Sequence, residues 1–108
     1  MTERLYLEDL KVGQRFACGR HALDAEQIKA FARAFDPQPF HLDEAAARGT
    51  FFGGLAASGW HIVCLTMRMI AENVPIAGGL IGGAAEITWP QPTRPTHVLA
   101  VTSIGMAG

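Results

Sequence analysis

Residues 57–73 read ASGWHIVCLTMRMIAEN, and the fold turns on how that stretch is read. From Trp60 to Asn73 the apolar residues Trp60, Ile62, Val63, Leu65, Met67, Met69 and Ile70 spread over most of a helical circumference. A surface helix confines its apolar residues to one stripe, so a helix apolar nearly all round belongs at the centre of a domain. The hydrophobic region runs on to Ala85, broken by Arg68, Glu72, Asn73, Pro75 and four glycines. A membrane span needs about 20 consecutive, mostly apolar residues. The reading is therefore a buried helix, a glycine-rich turn and a strand, with no membrane segment.

Working outward, Tyr6 to Gly13 reads as an opening loop and Gln14 to Ala22 as a strand with Phe16 and Cys18 on one face. Asp24 is placed to cap a helix, Gln27 to complete a capping box, and Leu23 to staple onto Ile28. Ile28, Phe31, Ala32 and Phe35 follow at i, i+3, i+4 and i+7, which predicts an inward apolar face. Pro37 ends that helix, because a residue before proline avoids helical dihedrals. A short helix is expected over Asp43 to Ala47, closed by Gly49. Beyond the central helix, Ile81 to Trp89 and Val98 to Ile104 read as strands joined by the proline-rich turn Pro90 to Pro95. A central helix with strands to wrap it is an α+β arrangement, and 108 residues make one domain.

Composition narrows the function classes. An apolar fraction of 49% with 18% charged residues describes a globular chain rather than a disordered one. A net charge of −1, with no basic run, offers no footprint for nucleic acid. Cys18 and Cys64 form no CxxC pair, so two free buried thiols in a reducing cytoplasm are expected. His61 has no partner at i+4 and no HExxH or Cys/His set occurs, which argues against a metal site; His21 and His97 read as surface or edge residues.

The polar cluster lies in residues 35–44, FDPQPFHLDE. Asp43 precedes Glu44 and three alanines, and a helix cap accounts for it. Asp36 sits at the C-terminal end of a helix, where the macrodipole disfavours a negative charge and would raise its pKa; a turn-forming aspartate before proline is the plainer account. Fully extended, five residues would carry His41 about 17 Å from Asp36. Pro37 and Pro39 restrict the chain enough to make a fixed bend plausible, and with it an acid–base pair. Otherwise His41 is a loop histidine bonded to backbone. A third element is Ala57-Ser58-Gly59-Trp60, where a helix N-terminus presents unpaired N–H groups and small residues admit a ligand oxygen. The alternative is that Ser58 caps the helix and Gly59 permits close packing.

Taken together, F-D-P-Q-P-F-H-L-D, F-F-G-G-L-A-A-S-G-W-H and L-T-M-R-M resemble the MaoC-like dehydratases and (R)-specific enoyl-CoA hydratases of the hotdog fold, from about Leu5 to Arg94. The family pattern of Asp, any residue, Asn or Gln, Pro, an apolar residue and His falls on Asp36, Gln38, Pro39, Phe40 and His41. The resemblance implies that Asp36 and His41 activate a water for addition to a trans-2-enoyl thioester, or dehydrate a 3-hydroxyacyl thioester in reverse. It implies that Gln38 orients the pair, that Ser58 and Gly59 bind substrate with the Gly59 N–H on the thioester oxygen, and that no metal or cofactor is needed. Cys64 falls where some members carry serine.

The C-terminal part departs from the family. Where V-R-P-G-D is usual, Thr93-Arg94-Pro95-Thr96-His97 keeps Arg94-Pro95 and lacks the Gly-Asp turn. Three strands are counted where a hotdog sheet has about five, so a C-terminally shortened domain is expected. Its uncovered apolar surface then implies a homodimer or larger homo-oligomer. The leading expectation is a hydro-lyase acting on acyl-CoA or acyl-carrier thioesters. Behind it stand a non-catalytic hotdog subunit that binds acyl-CoA or pairs with another chain, and a thioesterase. The last would want a carboxylate near the start of the central helix, and Glu72 is far along it.

Overall fold

The computed structural model describes residues 13–74 and 85–104. Its elements run β1 (Arg15–Ala22), α1 (Ala25–Phe35), α2 (Pro39–Leu42), α3 (Glu44–Arg48), α4 (Gly59–Asn73) and β2 (Val98–Ile104). The opening loop before Gly13 and residues 81–84 of the expected second strand lie outside the described residues.

β1 and β2 pair antiparallel, with Arg15 opposite Ile104 and Ala22 opposite Val98. Between Ala17 and Arg20 the register slips, and Gly19 there has φ +83°. A residue in the left-handed region with one extra position on its strand is a β-bulge, which glycine adopts without a Cβ clash. The bulge turns Cys18 inward, where it packs with Met69 and Val74. Asn73 at the end of α4 donates to the Cys18 carbonyl at 3.1 Å, tying the helix to the bulge.

Helix α1 starts as its sequence dictates. The Asp24 carboxylate accepts from the Gln27 N–H at 2.8 Å. The Gln27 side chain does not complete the expected capping box. It donates instead to the Ala22 carbonyl and accepts from His21 Nε2 at 2.6 Å, locking the end of β1 onto α1. Leu23 and Ile28 meet in one core cluster with Leu55, Ala57 and Leu65. Full burial of Ile28 contributes about 1.5–3 kcal/mol. Phe35 departs from the expected inward face: it is 75% exposed, its ring resting on Phe31 at 5.1 Å. Ala32 in the same turn is fully buried, so only the Phe35 side of the helix end faces out.

α4 crosses the sheet, and Leu99 of β2 touches both core clusters. Only His61, Leu65 and Met69 of α4 are buried, while Trp60, Cys64 and Met67 are exposed. The expectation of a helix enclosed all round, and of a buried Cys64, is thus corrected: the described residues cover one side of α4. Nor do residues 85–89 form a strand. Trp89 there turns its indole onto the start of α4, and Pro90 and Pro92 lack the N–H a ladder needs. No described helix is long and apolar enough to cross a membrane.

The turn before β2 is built on residues that differ from the family pattern. Thr96 has φ +77°, a conformation that is costly for a β-branched residue, and it stands where the family pattern has glycine. The His97 ring accepts from the Arg94 N–H at 3.0 Å, as a turn aspartate would. Leu23 and the turn exchange two bonds, Leu23 N–H to the His97 carbonyl and Thr96 N–H to the Leu23 carbonyl. Thr96→Gly is expected to stabilise the chain by about 1 kcal/mol, since relief of left-handed strain exceeds glycine's extra chain entropy. Urea unfolding checks it; an unchanged or lower midpoint would show that the strain is not there.

Candidate active site

Local structure explains how Asp36 and His41 meet. Asp36 is the C-cap of α1, its N–H bonded to the Ala32 carbonyl. Pro37 then sits at the centre of a tight turn in which the Gln38 N–H donates to the Asp36 carbonyl at 2.8 Å. Pro39 opens α2 at the first helical position, where its missing N–H costs nothing. That single helical turn, unforeseen in sequence, swings His41 back. Its Nε2 ends 3.2 Å from Asp36 Oδ2.

The imidazole is buried, and its Nδ1 lies 2.6 Å from the Ala56 carbonyl oxygen. A carbonyl can only accept, so Nδ1 carries a proton, and Nε2 is the ring atom that faces Asp36. The backbone bond foreseen for a loop histidine and the pairing with Asp36 therefore coexist, one on each ring nitrogen. Phe40 meets the ring edge-on at 4.5 Å and fixes its plane.

Asp36 is held by two further side chains. Gln38 Nε2 donates to Oδ1 at 2.5 Å, and Ser58 Oγ donates to Oδ2 at 2.7 Å. Burial pushes the Asp36 carboxyl up, but the bonds from Gln38 and Ser58 and the neighbouring His41 together outweigh it and leave it below the usual carboxylate range. This corrects the expectation that the helix dipole would raise it: direct donors act at closer range than the end of a helix. Ser58 does not cap α4 with its side chain, because its hydroxyl proton goes to Asp36. A group whose pKa is lowered on folding stabilises the fold above its unfolded pKa, about 3.9 for aspartate, and that stabilisation fades as pH falls through the folded value. Ser58→Ala is expected to move the acid limb of any Asp36-dependent activity to higher pH and to narrow this acid-stability margin. A pH–rate profile reads the first; a limb unmoved or shifted down would separate Ser58 from the carboxylate.

Asp43 caps α3 by accepting from Ala45 and Ala46 N–H groups, and takes no part in the pair. Gly59 opens α4, and in that first turn the His61 and Ile62 N–H groups donate to the Ser58 carbonyl. The Gly59 Cα is also packed against Trp89: a Cβ there would stand 2.7 Å from the indole. Gln38, His41 and Gly59 share one cleft of about 580 Å³, with Phe40, Trp60 and Trp89 among its walls. A second cavity of about 330 Å³, mostly apolar, runs along α4 and shares Ile62 and Trp89 with the first. His61 points elsewhere, stacked on Phe31 at 4.6 Å. Burial first, then His21, pushes it below its ordinary range, so it is neutral. Nothing in the sequence pointed to the Ala56 carbonyl, a backbone atom, or to Trp89 as a wall.

The family profile described as MaoC like domain matches residues 10–101. The chain belongs to the MaoC-like family. A MaoC-like dehydratase from Rhodospirillum rubrum superposes with a TM-score of 0.92 at 56% identity, over 95% of this chain and 71% of that one. The unliganded R-hydratase PhaJ1 of Pseudomonas aeruginosa gives a TM-score of 0.71 at 28% identity, over 88% of this chain and 61% of that one. The uncharacterized protein YdeM of Bacillus subtilis is 29% identical over 95 residues, 86% of this chain and 67% of that protein. The antiparallel sheet packed on α4 is thus that of a hotdog fold, and the family is one of hydratases and dehydratases.

Proposed function

We propose that this MaoC-like chain is a cytoplasmic hydro-lyase that reversibly hydrates trans-2-enoyl thioesters to (R)-3-hydroxyacyl thioesters, carried on CoA or an acyl-carrier protein. The observation that carries the proposal is the opposed pair of basic atoms, His41 Nε2 and Asp36 Oδ2, 3.2 Å apart beside a cleft that also contains the start of α4. In the form with Nε2 unprotonated and Asp36 ionised, both atoms can accept and neither can donate to the other. A water donating one hydrogen to each satisfies both and keeps an oxygen lone pair free to attack.

The chemistry then balances. The water oxygen bonds to C3 of the enoyl group while one proton passes to the pair, and a proton from the pair reaches C2 on the same face. Charge moves onto the thioester oxygen as C3 is attacked. The Gly59 N–H, at the positive end of α4, is the donor for that oxygen. Gln38 and Ser58 hold the carboxylate in place, and the apolar cavity along α4 suits an acyl chain.

Loss of the conjugated enoyl absorbance on mixing with a short trans-2-enoyl-CoA tests the proposal. No turnover on any chain length would overturn it in favour of a non-catalytic subunit that binds acyl-CoA. Thiol release from a saturated acyl-CoA would favour a thioesterase. Glu72 speaks against that reading, for it is paired with Arg68 on an exposed face about 20 Å along the helix from Gly59. The working unit is proposed to be a homodimer or larger homo-oligomer, covering exposed Met67, Val98 and Ile104. A monomeric mass by gel filtration at micromolar concentration would reject that assembly.

A further inference from the structure

We infer that Arg94 is a positioning residue for His41. The Arg94 guanidinium spans three carbonyls of the loop before α4. Nη2 donates to Phe52 at 2.5 Å, and Nη1 donates to Gly54 at 2.8 Å and Leu55 at 3.3 Å. Among the described residues it has no carboxylate partner within ion-pair distance, so its bonding capacity is turned on backbone. The next carbonyl in that track is Ala56, the acceptor of the His41 Nδ1 proton.

Ala56 is bracketed. On one side Arg94 grips Leu55; on the other the Ala57 N–H donates to the Thr93 carbonyl at 2.8 Å. The Ala56 N–H itself goes to the Phe40 carbonyl at 3.0 Å, beside His41. One short segment, Thr93–Arg94, therefore fixes the residues on both sides of Ala56. The segment is anchored in turn by His97, which accepts from the Arg94 N–H. Without the grip the 52–55 carbonyls lose their shared donor and the Ala56 oxygen loses its fixed direction. The ring proton is then free to move to Nε2, the atom that must stay basic to face a water. A planar fork reaches three carbonyls together, and a lysine ammonium does not. Gly54 lies directly under the fork: a Cβ there would stand 3.4 Å from Nη1, in contact with it.

The kinetic part of the test rests on the hydration reading; the spectroscopic part does not. Arg94→Gln, Arg94→Lys and Gly54→Ala are compared with the parent protein after circular dichroism has shown each to be folded. Nitrogen–proton spectra of histidine-labelled protein are expected to show His41 protonated at Nδ1 in the parent. In Arg94→Gln and Arg94→Lys a share of the signal should move to the Nε2–H form, with a smaller move in Gly54→Ala. On a short trans-2-enoyl-CoA, kcat should fall about 10- to 100-fold with KM little changed, the scale of losing an outer partner of a reacting group. A folded Arg94→Gln that keeps the parent's tautomer overturns the inference, whatever its activity. If Arg94→Gln does not fold, the other two variants decide by the same signal. Should the parent hydrate nothing, the function fails while the tautomer still decides the role of Arg94.

Discussion

Asp36→Asn and His41→Ala are each expected to lower kcat on a short trans-2-enoyl-CoA by about 10³-fold, within the usual span for a positioned acid–base group. The two losses come from different causes. The asparagine variant keeps the shape and the Ser58 and Gln38 neighbours but removes the charge that takes a water proton. The alanine variant removes Nε2, the second acceptor, and empties a buried site between the Ala56 carbonyl and Asp36. His41→Gln is therefore a useful companion, since it fills more of the space without supplying an imidazole base. Because a single water must touch both groups, the losses should not add. The double variant is expected to be about as slow as the slower single one. Stopped-flow or steady-state absorbance gives the numbers. Multiplicative losses would mean that the two residues act on different steps, and near-parent turnover in either variant would remove that residue from the chemistry.

Much of this site was legible because its local signals agree. Asp24 before a 3.6-residue apolar period gives α1; Pro37 ends it; Asp43 before alanines gives α3. Each of these is decided within a few residues, where capping and proline geometry dominate. What escaped was decided at a distance. α2 is a single turn held by the contacts around it, too short for any period to reveal. Burial works against ionised Asp36, and its lowered pKa needs Gln38 beside it and also Ser58, 22 residues away. Trp89 reads as a strand residue by composition, yet its indole finds a better partner in the glycine at the head of α4 than any ladder among the described residues offers. The turn at Thr96 shows the reverse case. Its residues differ from the family pattern, but the bonds to Leu23 and the ring of His97 hold the backbone in the shape that glycine and aspartate would favour.

Gly59→Ala is expected to cost little stability and much activity. The added Cβ would stand 2.7 Å from Trp89 Cε2 and 2.9 Å from its Nε1, so something must move. The indole is 47% exposed and is held by one 3.2 Å bond to the Gly59 carbonyl and an edge contact with Trp60, so it yields before the helix does. Overpacking of this kind costs about 1–3 kcal/mol when the neighbour is rigid; a mobile neighbour and the helical preference of alanine over glycine, about 1 kcal/mol, leave a small net change. Activity is another matter, because the same Cβ narrows the approach to the Gly59 N–H, and loss of one such donor lowers kcat by about 10²–10³. Trp89→Ala in the Gly59→Ala background separates the two roles that the sequence left open for this glycine. Removing the indole gives the Cβ room, so the thermal midpoint should be no lower than that of Trp89→Ala alone. If Gly59 serves only to seat Trp89, turnover should return to the Trp89→Ala level as well. Turnover that stays low while stability is restored is the result expected of a glycine whose N–H must be reached by the thioester oxygen.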